Sequence, residues 1–214
     1  MKLDQSLTKQ QLVSLLAWED FSEVYEVADT LRKERKGDWI DIRAILEFSN
    51  YCRCQCRYCG LNCRNRHLKR YRLSPEQIVE TCREAANAGY RTVVLQSGED
   101  RWYTPKLLGD IIRRVKETGM AVTVSCGEFS DEDYAYFREC GADRYLIKHE
   151  TANEKIYAQL HPGTSLKERV RCLKTIKRLG YETGSGFMIG LPGQTLETVA
   201  EDLLLLKEIG CDMA

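Results

Sequence analysis

Residues 50–60 have the sequence NYCRCQCRYCG, in which Cys52, Cys56 and Cys59 follow the spacing C-x3-C-x2-C. They come directly after the apolar run 40–48, which predicts a strand that leads into a loop. Cysteine thiolates are the usual ligands of iron–sulfur clusters, so three of them on one loop can hold three corners of a cubane cluster. The fourth iron then lacks a protein ligand, and an open metal position is where a substrate can bind and react. The spacing therefore favours a catalytic cluster over plain electron storage.

Around this loop, short apolar runs alternate with helical patterns. Strands are predicted at about residues 39–47, 92–95, 121–125, 145–147 and 182–189, and helices begin near residues 74, 104, 130, 165 and 195. Residues 211–214 have the character of the entry to a sixth strand. Repeated βα units of this length imply a parallel sheet with right-handed crossovers, either a barrel or an open doubly wound sheet.

The remaining composition limits the class of protein. Lys plus Arg and Asp plus Glu number 32 each, so no global basic field indicates nucleic-acid binding. The first five residues lack the apolar stretch that would predict a signal peptide, and no apolar run reaches the 18 residues that would predict a membrane span. Five of the ten cysteines lie within residues 52–63, which favours metal binding over a disulfide framework and predicts a cytoplasmic, reducing location. Two helical patterns occupy residues 1–38, and residues 39–214 are predicted to form the α/β core.

Five short segments extend the signature of the cysteine loop. They are YCGL at residues 58–61, LQSGED at 95–100, GADRY at 141–145, HETAN at 149–153 and GLPGQT at 190–195. Together with the loop they resemble radical S-adenosylmethionine (SAM) enzymes, and among these the [FeFe]-hydrogenase maturases of the HydE family. The resemblance implies a radical SAM (β/α) barrel. Because a closed eight-unit barrel needs about 250 residues, five units and the stub of a sixth strand predict an incomplete barrel.

The resemblance also implies cofactors, an activity and partners. Cys52, Cys56 and Cys59 would hold a [4Fe–4S] cluster whose reduction cleaves SAM to methionine and a 5′-deoxyadenosyl radical. The radical would act on a sulfur-containing substrate during assembly of the dithiolate bridge of the hydrogenase H-cluster. The implied partners are sister hydrogenase maturases, the apo-hydrogenase and an external electron donor such as ferredoxin or flavodoxin, with no nucleic acid and no membrane.

Site residues are expected at the carboxyl ends of the strands, where parallel α/β proteins place their chemistry. The segment Ser97, Gly98 and Glu99 offers carbonyls and a carboxylate to the amino group of SAM, with a glycine that permits close approach. By position in the resembled family, Arg169 would pair with the SAM carboxylate and Glu150 would also contact SAM. Plainer alternatives are a surface charge for Arg169 and a turn cap for Glu150.

Thr123 and Ser125, at the end of the third strand, are expected to face the cavity as substrate or anion contacts. Their plainer alternative is that they only fill space as β-compatible residues. Lys148 stands where the family often carries arginine, and lysine lacks the paired donors of a guanidinium, which puts a bidentate anion contact there in doubt.

Other cysteines and histidines have plainer interpretations. Cys54 is expected to be a spectator on the loop, and His161 to be structural. Cys63 with His67 could complete a Cys3His zinc site. The five scattered cysteines are expected to behave as small buried hydrophobes: Cys82, Cys126, Cys140, Cys172 and Cys211.

Two other functions stay open from the sequence. One keeps the radical chemistry but changes the substrate, as in a methylornithine synthase or biotin synthase relative. The other is a non-catalytic domain that uses the cysteine loop for zinc or for electron transfer by an iron–sulfur cluster.

Overall fold

In the computed structural model, which describes residues 6–214, helices and strands alternate along the chain. Two helices precede the first strand, and every later strand is followed by at least one helix. The elements in chain order are α1 Lys9–Leu16, α2 Ser22–Lys36, β1 Ala44–Ser49, α3 Pro75–Asn87, β2 Thr92–Ser97, α4 Pro105–Lys116, β3 Ala121–Ser125, α5 Asp131–Glu139, β4 Arg144–Leu146, α6 Glu154–Leu160, α7 Leu166–Arg178, β5 Glu182–Gly184 and α8 Leu196–Ile209.

The five strands form one parallel sheet in the sequential order β1-β2-β3-β4-β5. Beyond β5 a parallel bridge joins Gly184 to Met213, as expected for the start of a sixth strand. Parallel strands that are adjacent in chain order and connected by helices are the arrangement found in a (β/α) barrel. The predicted incomplete barrel of five units and a stub is confirmed.

The register of the sheet brings the strand ends to a common level. Glu47 of β1 lies opposite Gln96 of β2, and Gln96 lies opposite Ser125 of β3. The loops that leave these strands therefore start side by side along one rim of the sheet. This rim is where the site residues named from the sequence were expected.

The core lies between the sheet and its helices. Val122 and Val124 of β3 are fully buried, as are Ile111 and Ile112 on the apolar face of α4. Alternation along a strand points neighbouring residues to opposite faces of the sheet. Two of the predicted helix starts carry capping boxes, at Ser74 for α3 and at Ser130 for α5.

Three sequence predictions about elements were wrong in detail. The first strand starts at Ala44, whose partner is Val93; β2 begins only one residue earlier, at Thr92, so residues 39–42 have no strand to pair with in the described sheet. The fifth strand ends at Gly184, after which the backbone pairs only through single contacts, such as the bridge between Glu150 and Phe187. Helix α6 was not predicted, because seven residues are too few for helical periodicity to show.

Of the two N-terminal helices, α1 packs against α8. Lys9 of α1 forms an ion pair with Glu201 of α8, with 2.5 Å between Nζ and Oε1. The division into residues 1–38 and 39–214 stays a prediction, and its residues 1–5 lie outside the described part. Of the helices in residues 6–214, none combines the length and the apolar character needed to cross a bilayer.

Candidate active site

The cysteine loop leaves the end of β1 and is fixed by hydrogen bonds to neighbouring segments. Cys52, Cys54, Cys56 and Cys59 are half-buried and Cys63 is exposed. The N–H group of Arg53 donates to the Glu99 carbonyl (3.1 Å), and its Nε lies 2.9 Å from Glu99 Oε2. On the other side of the loop, the N–H of Arg57 donates to the carbonyl of Leu160 (2.9 Å). The loop is therefore held between the end of β2 and the end of α6.

Gly98 lies directly beneath this loop. A Cβ atom at residue 98 would stand 2.3 Å from the carbonyl oxygen of Tyr51 and 2.7 Å from Cβ of Cys52, closer than any real contact allows. The Gly98 N–H donates to the carbonyl of Ser49 at 3.3 Å. The close approach that this glycine permits is thus an approach to the loop that carries Cys52.

A chain of hydrogen bonds continues along the rim from Glu99. Glu99 Oε1 accepts from the N–H of Glu128 (3.2 Å), and Glu128 Oε1 accepts from Arg169 Nε at 2.6 Å. Gly127 has φ +88° and packs against the Glu99 side chain, where a Cβ would stand 2.1 Å from Cγ. The ends of β2 and β3 and the first turn of α7 are joined in this way.

Arg169 is buried at this point, with 6% of its surface exposed, so the surface-charge alternative is wrong. Its Nη1 donates to the carbonyl of Lys148, and its Nε pairs with Glu128. Glu128 is a residue to which the sequence assigned no role, although its position at a strand end was visible. The role of Arg169 toward SAM stays a prediction.

A second chain of contacts joins the loop to the end of β4. The Tyr58 hydroxyl donates to Glu150 Oε1 (3.0 Å) and lies 2.9 Å from His161 Nε2. The other ring nitrogen of His161, Nδ1, is 3.2 Å from Cys56 Sγ. Glu150 has φ +65°, which is rare for a residue with a side chain and is found at positions held by their surroundings. Its carboxylate binds Tyr58, while Asn153 caps α6, so Glu150 is not the turn cap.

Thr123 and Ser125 lie on the face of β3 opposite to Val122 and Val124, away from the helices. Thr123 is 1% exposed, and its hydroxyl has no hydrogen-bond partner in the part of the chain that the structure describes. A buried hydroxyl without a partner costs free energy, and a bound ligand would remove that cost. Ser97 donates to the Gly98 carbonyl at 2.8 Å, which leaves one lone pair of that oxygen for another donor.

The thiols of the loop differ in their tendency to ionise. The pKa of Cys56 is lowered, chiefly because the Cys54 thiol donates a hydrogen bond to it. The pKa of Cys52 is raised, first by its hydrogen bond with Cys54 and then by burial. A metal ligand must be a thiolate, so Cys56 is the more readily available of these two. Cys54, expected to be a spectator, contacts both.

The described residues give no support to a single-ion site. In residues 6–214, no group of three or more His, Cys, Asp or Glu side chains is arranged to hold one metal ion. The Cys3His zinc alternative with Cys63 and His67 therefore finds no geometric support. A cubane cluster instead binds each thiolate at a different iron, which needs wider spacing than a single ion does.

A groove of about 1130 Å³ opens beside the cysteine loop, on the side of Cys54 and Gln55. Its wall carries charges of both signs, contributed by Arg53, Arg101, Glu128, Asp131, Glu132, Glu168 and Arg171. The groove gives solvent access to the loop, but its mixed charge provides no single-sign attraction for a partner.

A family model, described as the radical SAM superfamily, matches residues 46–206, which is more than half of the chain. The chain belongs to the radical SAM superfamily. It is 50% identical over 212 residues to the [FeFe] hydrogenase maturase subunit HydE of Thermotoga maritima, covering 98% of this chain and 61% of that protein. It is 32% identical to the 3-methylornithine synthase of Methanosarcina acetivorans, covering 94% of this chain and 58% of that one.

The solved structures agree with this assignment. A crystal structure of methylornithine synthase superposes with a TM-score of 0.90 at 31% identity, covering 97% of this chain and 63% of that chain. A crystal structure of HydG, a maturase of the [FeFe]-hydrogenase, gives a TM-score of 0.83 at 25% identity, covering 96% of this chain and 49% of that chain. The chain thus spans about half to two thirds of the length of these relatives.

Radical SAM proteins use a [4Fe–4S] cluster and SAM, and the residues of this chain fit both groups. Three thiols on one hydrogen-bonded loop match a cluster with one open iron. SAM has an amino group and a carboxylate. Carboxylates at the ends of β2, β3 and β4 could accept from the amino group, and the buried guanidinium of Arg169 could bind the carboxylate. The fit rests on the chemistry of these donors and acceptors.

Proposed function

We propose that this chain is the core of a radical SAM enzyme that acts in [FeFe]-hydrogenase maturation, in assembly of the dithiolate bridge of the H-cluster. The observation that carries the proposal is the connected rim. The loop of three cysteines is hydrogen-bonded to Glu99 and Glu150, and Glu99 leads through Glu128 to Arg169. The 50% identity to a HydE maturase subunit supports the choice of pathway.

Each site residue has a role in this proposal. Cys52, Cys56 and Cys59 hold the cluster, which supplies, when reduced, the electron that cleaves SAM to methionine and a 5′-deoxyadenosyl radical. Carbonyls of Ser97 and Gly98 and the Glu99 carboxylate orient the amino group of SAM.

The carboxylate of SAM is assigned to Arg169. Its Nε and Nη1 are engaged by Glu128 and the Lys148 carbonyl, and Nη2 makes no hydrogen bond within residues 6–214. Glu150, whose carboxylate accepts from the Tyr58 hydroxyl in the cluster-free chain, is assigned to contact SAM as well. Thr123, whose hydroxyl lacks a partner, and Ser125 bind the substrate or an anionic group of it.

The substrate and partners belong to the proposal. A sulfur-containing substrate would occupy the inner face of the sheet, beside Thr123. The partners are sister maturases and the apo-hydrogenase, with ferredoxin or flavodoxin as electron donor, in the cytoplasm. The HydG likeness is to another maturase of the same hydrogenase.

A second candidate is a radical SAM enzyme with an amino-acid substrate, such as a methylornithine synthase. The observation that favours it is the TM-score of 0.90 to methylornithine synthase. Lys148, in place of a forked guanidinium, also fits a substrate that needs only one charged contact there. Genes next to that of this chain would discriminate the two, as hydrogenase maturases or as amino-acid biosynthesis genes.

The test is anaerobic reconstitution with iron and sulfide, followed by dithionite and SAM, with 5′-deoxyadenosine measured by chromatography. We expect a broad visible absorbance and release of 5′-deoxyadenosine. Cys56→Ser should abolish both, whereas Cys63→Ser, at an exposed cysteine nearby, should leave them intact. Iron loading without 5′-deoxyadenosine, or stoichiometric zinc without iron and sulfide, would overturn the proposal.

A further inference from the structure

His161 stands at the end of α6, next to the cysteine loop, although nothing in the sequence connects it with that loop. It is 3% exposed, and its two ring nitrogens meet two residues of the loop. Nδ1 lies 3.2 Å from Cys56 Sγ and Nε2 lies 2.9 Å from the Tyr58 hydroxyl. We infer that His161 is a positioning residue that donates a hydrogen bond to the Cys56 sulfur and thereby sets the reduction potential of the cluster. This inference rests on the proposed function, which makes Cys56 a cluster ligand.

The ring is fixed from several sides. It stacks on Tyr157 with 4.6 Å between the ring centroids and 12° between the planes. Its backbone N–H donates to the Tyr157 carbonyl at 2.8 Å, and its own carbonyl accepts from the N–H of Thr164 at 3.3 Å. The adjacent Leu160 carbonyl accepts from Arg57 of the loop. The ring of His161, the end of α6 and the cysteine loop are therefore fixed relative to one another, as is needed for a residue that orients a metal ligand.

The directions of the hydrogen bonds between Glu150, Tyr58, His161 and Cys56 follow from the Glu150 carboxylate, which can only accept. Without a cluster, Tyr58 donates to the Glu150 carboxylate, so its oxygen accepts from Nε2–H and Nδ1 accepts from the Cys56 thiol. A cluster on Cys56 removes the thiol proton, which is released as metal binds. The neutral ring then carries its proton on Nδ1 and donates to the sulfur, and Nε2 accepts from Tyr58.

This change has two consequences. An N–H group that donates to a cluster sulfur withdraws negative charge from the cluster, and hydrogen bonds to the sulfurs are among the factors that set its potential. Reduction adds negative charge, so the donor makes reduction easier. In addition, Tyr58 turns from Glu150 to His161, which leaves the Glu150 carboxylate free to accept from a ligand. One ring thus links cluster loading to the state of a predicted SAM contact.

The test uses two amides that each replace one ring nitrogen. The amide nitrogen of asparagine lies near the position of Nδ1, so His161→Asn keeps a donor to the Cys56 sulfur and loses the hydrogen bond with the Tyr58 hydroxyl. The amide of glutamine lies near the position of Nε2, so His161→Gln keeps the hydrogen bond with the Tyr58 hydroxyl and loses the donor to the Cys56 sulfur. His67→Gln makes the same exchange at an exposed histidine and is the control.

The measurement is the midpoint potential of the reconstituted cluster, from a redox titration followed by electron paramagnetic resonance (EPR), with iron and sulfide content and circular dichroism alongside. We expect His161→Gln to shift the midpoint to a more negative value or to lose the cluster while staying folded. His161→Asn and the control should stay close to the unsubstituted chain.

Equal potentials in all four proteins would overturn the inference, as would an asparagine variant that behaves like the glutamine variant. If His161→Gln does not fold, the inference stands or falls on His161→Asn, which must keep both the cluster and its potential. Failure of the proposed function gives a different result: the unsubstituted chain itself would hold no iron and sulfide, or would hold both and release no 5′-deoxyadenosine.

Discussion

Gly98 packs so closely against the cysteine loop that the loop can keep its shape only if residue 98 has no side chain. A methyl group there meets the backbone of Tyr51 and Cβ of Cys52, neither of which can move without moving the loop. We expect Gly98→Ala to lower the free energy of unfolding by about 1–3 kcal/mol and to reduce the iron and sulfide that the chain retains. Thermal unfolding and metal analysis measure both effects.

Gly60 provides the matched control for this substitution. A Cβ at residue 60 has nothing within 4 Å, so Gly60→Ala should load like the unsubstituted chain. Normal cluster content in Gly98→Ala would show that the loop does not depend on this contact.

Glu128 and Arg169 form a buried ion pair at the rim, with side-chain exposures of 9% and 7%. Removing one partner of a buried pair leaves an uncompensated charge, which costs about 3–5 kcal/mol. Glu128→Ala is therefore expected to be destabilised by that order, in urea unfolding of the cluster-free chain. Glu132→Ala, at an exposed residue of α5, should change the unfolding free energy by less than about 0.5 kcal/mol. Equal stabilities of the two variants would contradict the structural importance of the pair.

His149 gives a pH dependence whose sign can be derived. Burial lowers the pKa of His149 from 6.5 to about 4, so the unfolded chain binds a proton between these values that the folded chain does not. The stability is therefore fully present above pH 6.5 and is lost as the pH falls toward 4, by about 2 kcal/mol at pH 5. The facing group is Asp202, whose Oδ1 lies 3.8 Å from Nε2 and whose own pKa is raised by burial.

The measurement is urea unfolding at pH 7.5 and pH 5, for the unsubstituted chain and His149→Gln. Because the variant has no imidazole, it should lose about 2 kcal/mol less than the unsubstituted chain between these two values. An identical pH dependence in both proteins would mean that the pKa of His149 is the same in the folded and in the unfolded chain.

The candidate site residues close to the motif could be named from the sequence, and those that only the fold brings to the loop could not. Cys52, Cys56, Cys59 and Gly98 follow from local spacing, because the loop and the next strand end carry their own patterns. Glu128 and His161 have their roles through partners 41 and 105 residues away, Arg169 and Cys56. Only the folded chain brings these pairs together, and one sequence contains no record of their proximity.

Among the elements, α6 matters most for the site, since His161 follows it directly and the carbonyl of its last residue, Leu160, accepts from the loop. Its N-cap, Asn153, accepts from the N–H groups of Lys155 and Ile156. We expect Asn153→Ala to cost about 1 kcal/mol of stability and to reduce cluster retention, because the helix end would be less well fixed. Thermal unfolding and iron content measure the two effects.

Lys155→Ala is the control, because that side chain is exposed on the same turn. It should leave cluster retention unchanged. Loss of stability without any loss of iron in Asn153→Ala would separate α6 from the site.

The starts of the predicted helices were easier to place than the limits of the strands. Capping residues such as Ser74 and Ser130 mark the starts of α3 and α5, because a helix satisfies its first N–H groups locally. A strand ends where its neighbour ends, so the limits of β1 and β5 depend on pairing with β2 and β4. This is why the first strand was predicted five residues too early and the fifth too long.

At the scale of the whole molecule, the order of the strands could be predicted and the joining of the rim could not. Repeated βα units lead to adjacent parallel strands, and β1 to β5 are indeed arranged in sequence. The chain of hydrogen bonds from the cysteine loop through Glu99 and Glu128 to Arg169 forms only if three loops leave the sheet at matching heights. Those heights come from the register of the sheet, which single-strand patterns do not specify.

The central claim is that three thiolates hold a cluster with one iron open to SAM. It is tested most directly by the EPR spectrum of the reduced, reconstituted chain, recorded with and without SAM. The account predicts that SAM changes the spectrum, because its amino and carboxylate groups would bind at the iron that has no protein ligand. A spectrum that is identical with and without SAM, in a fully loaded sample, would contradict it.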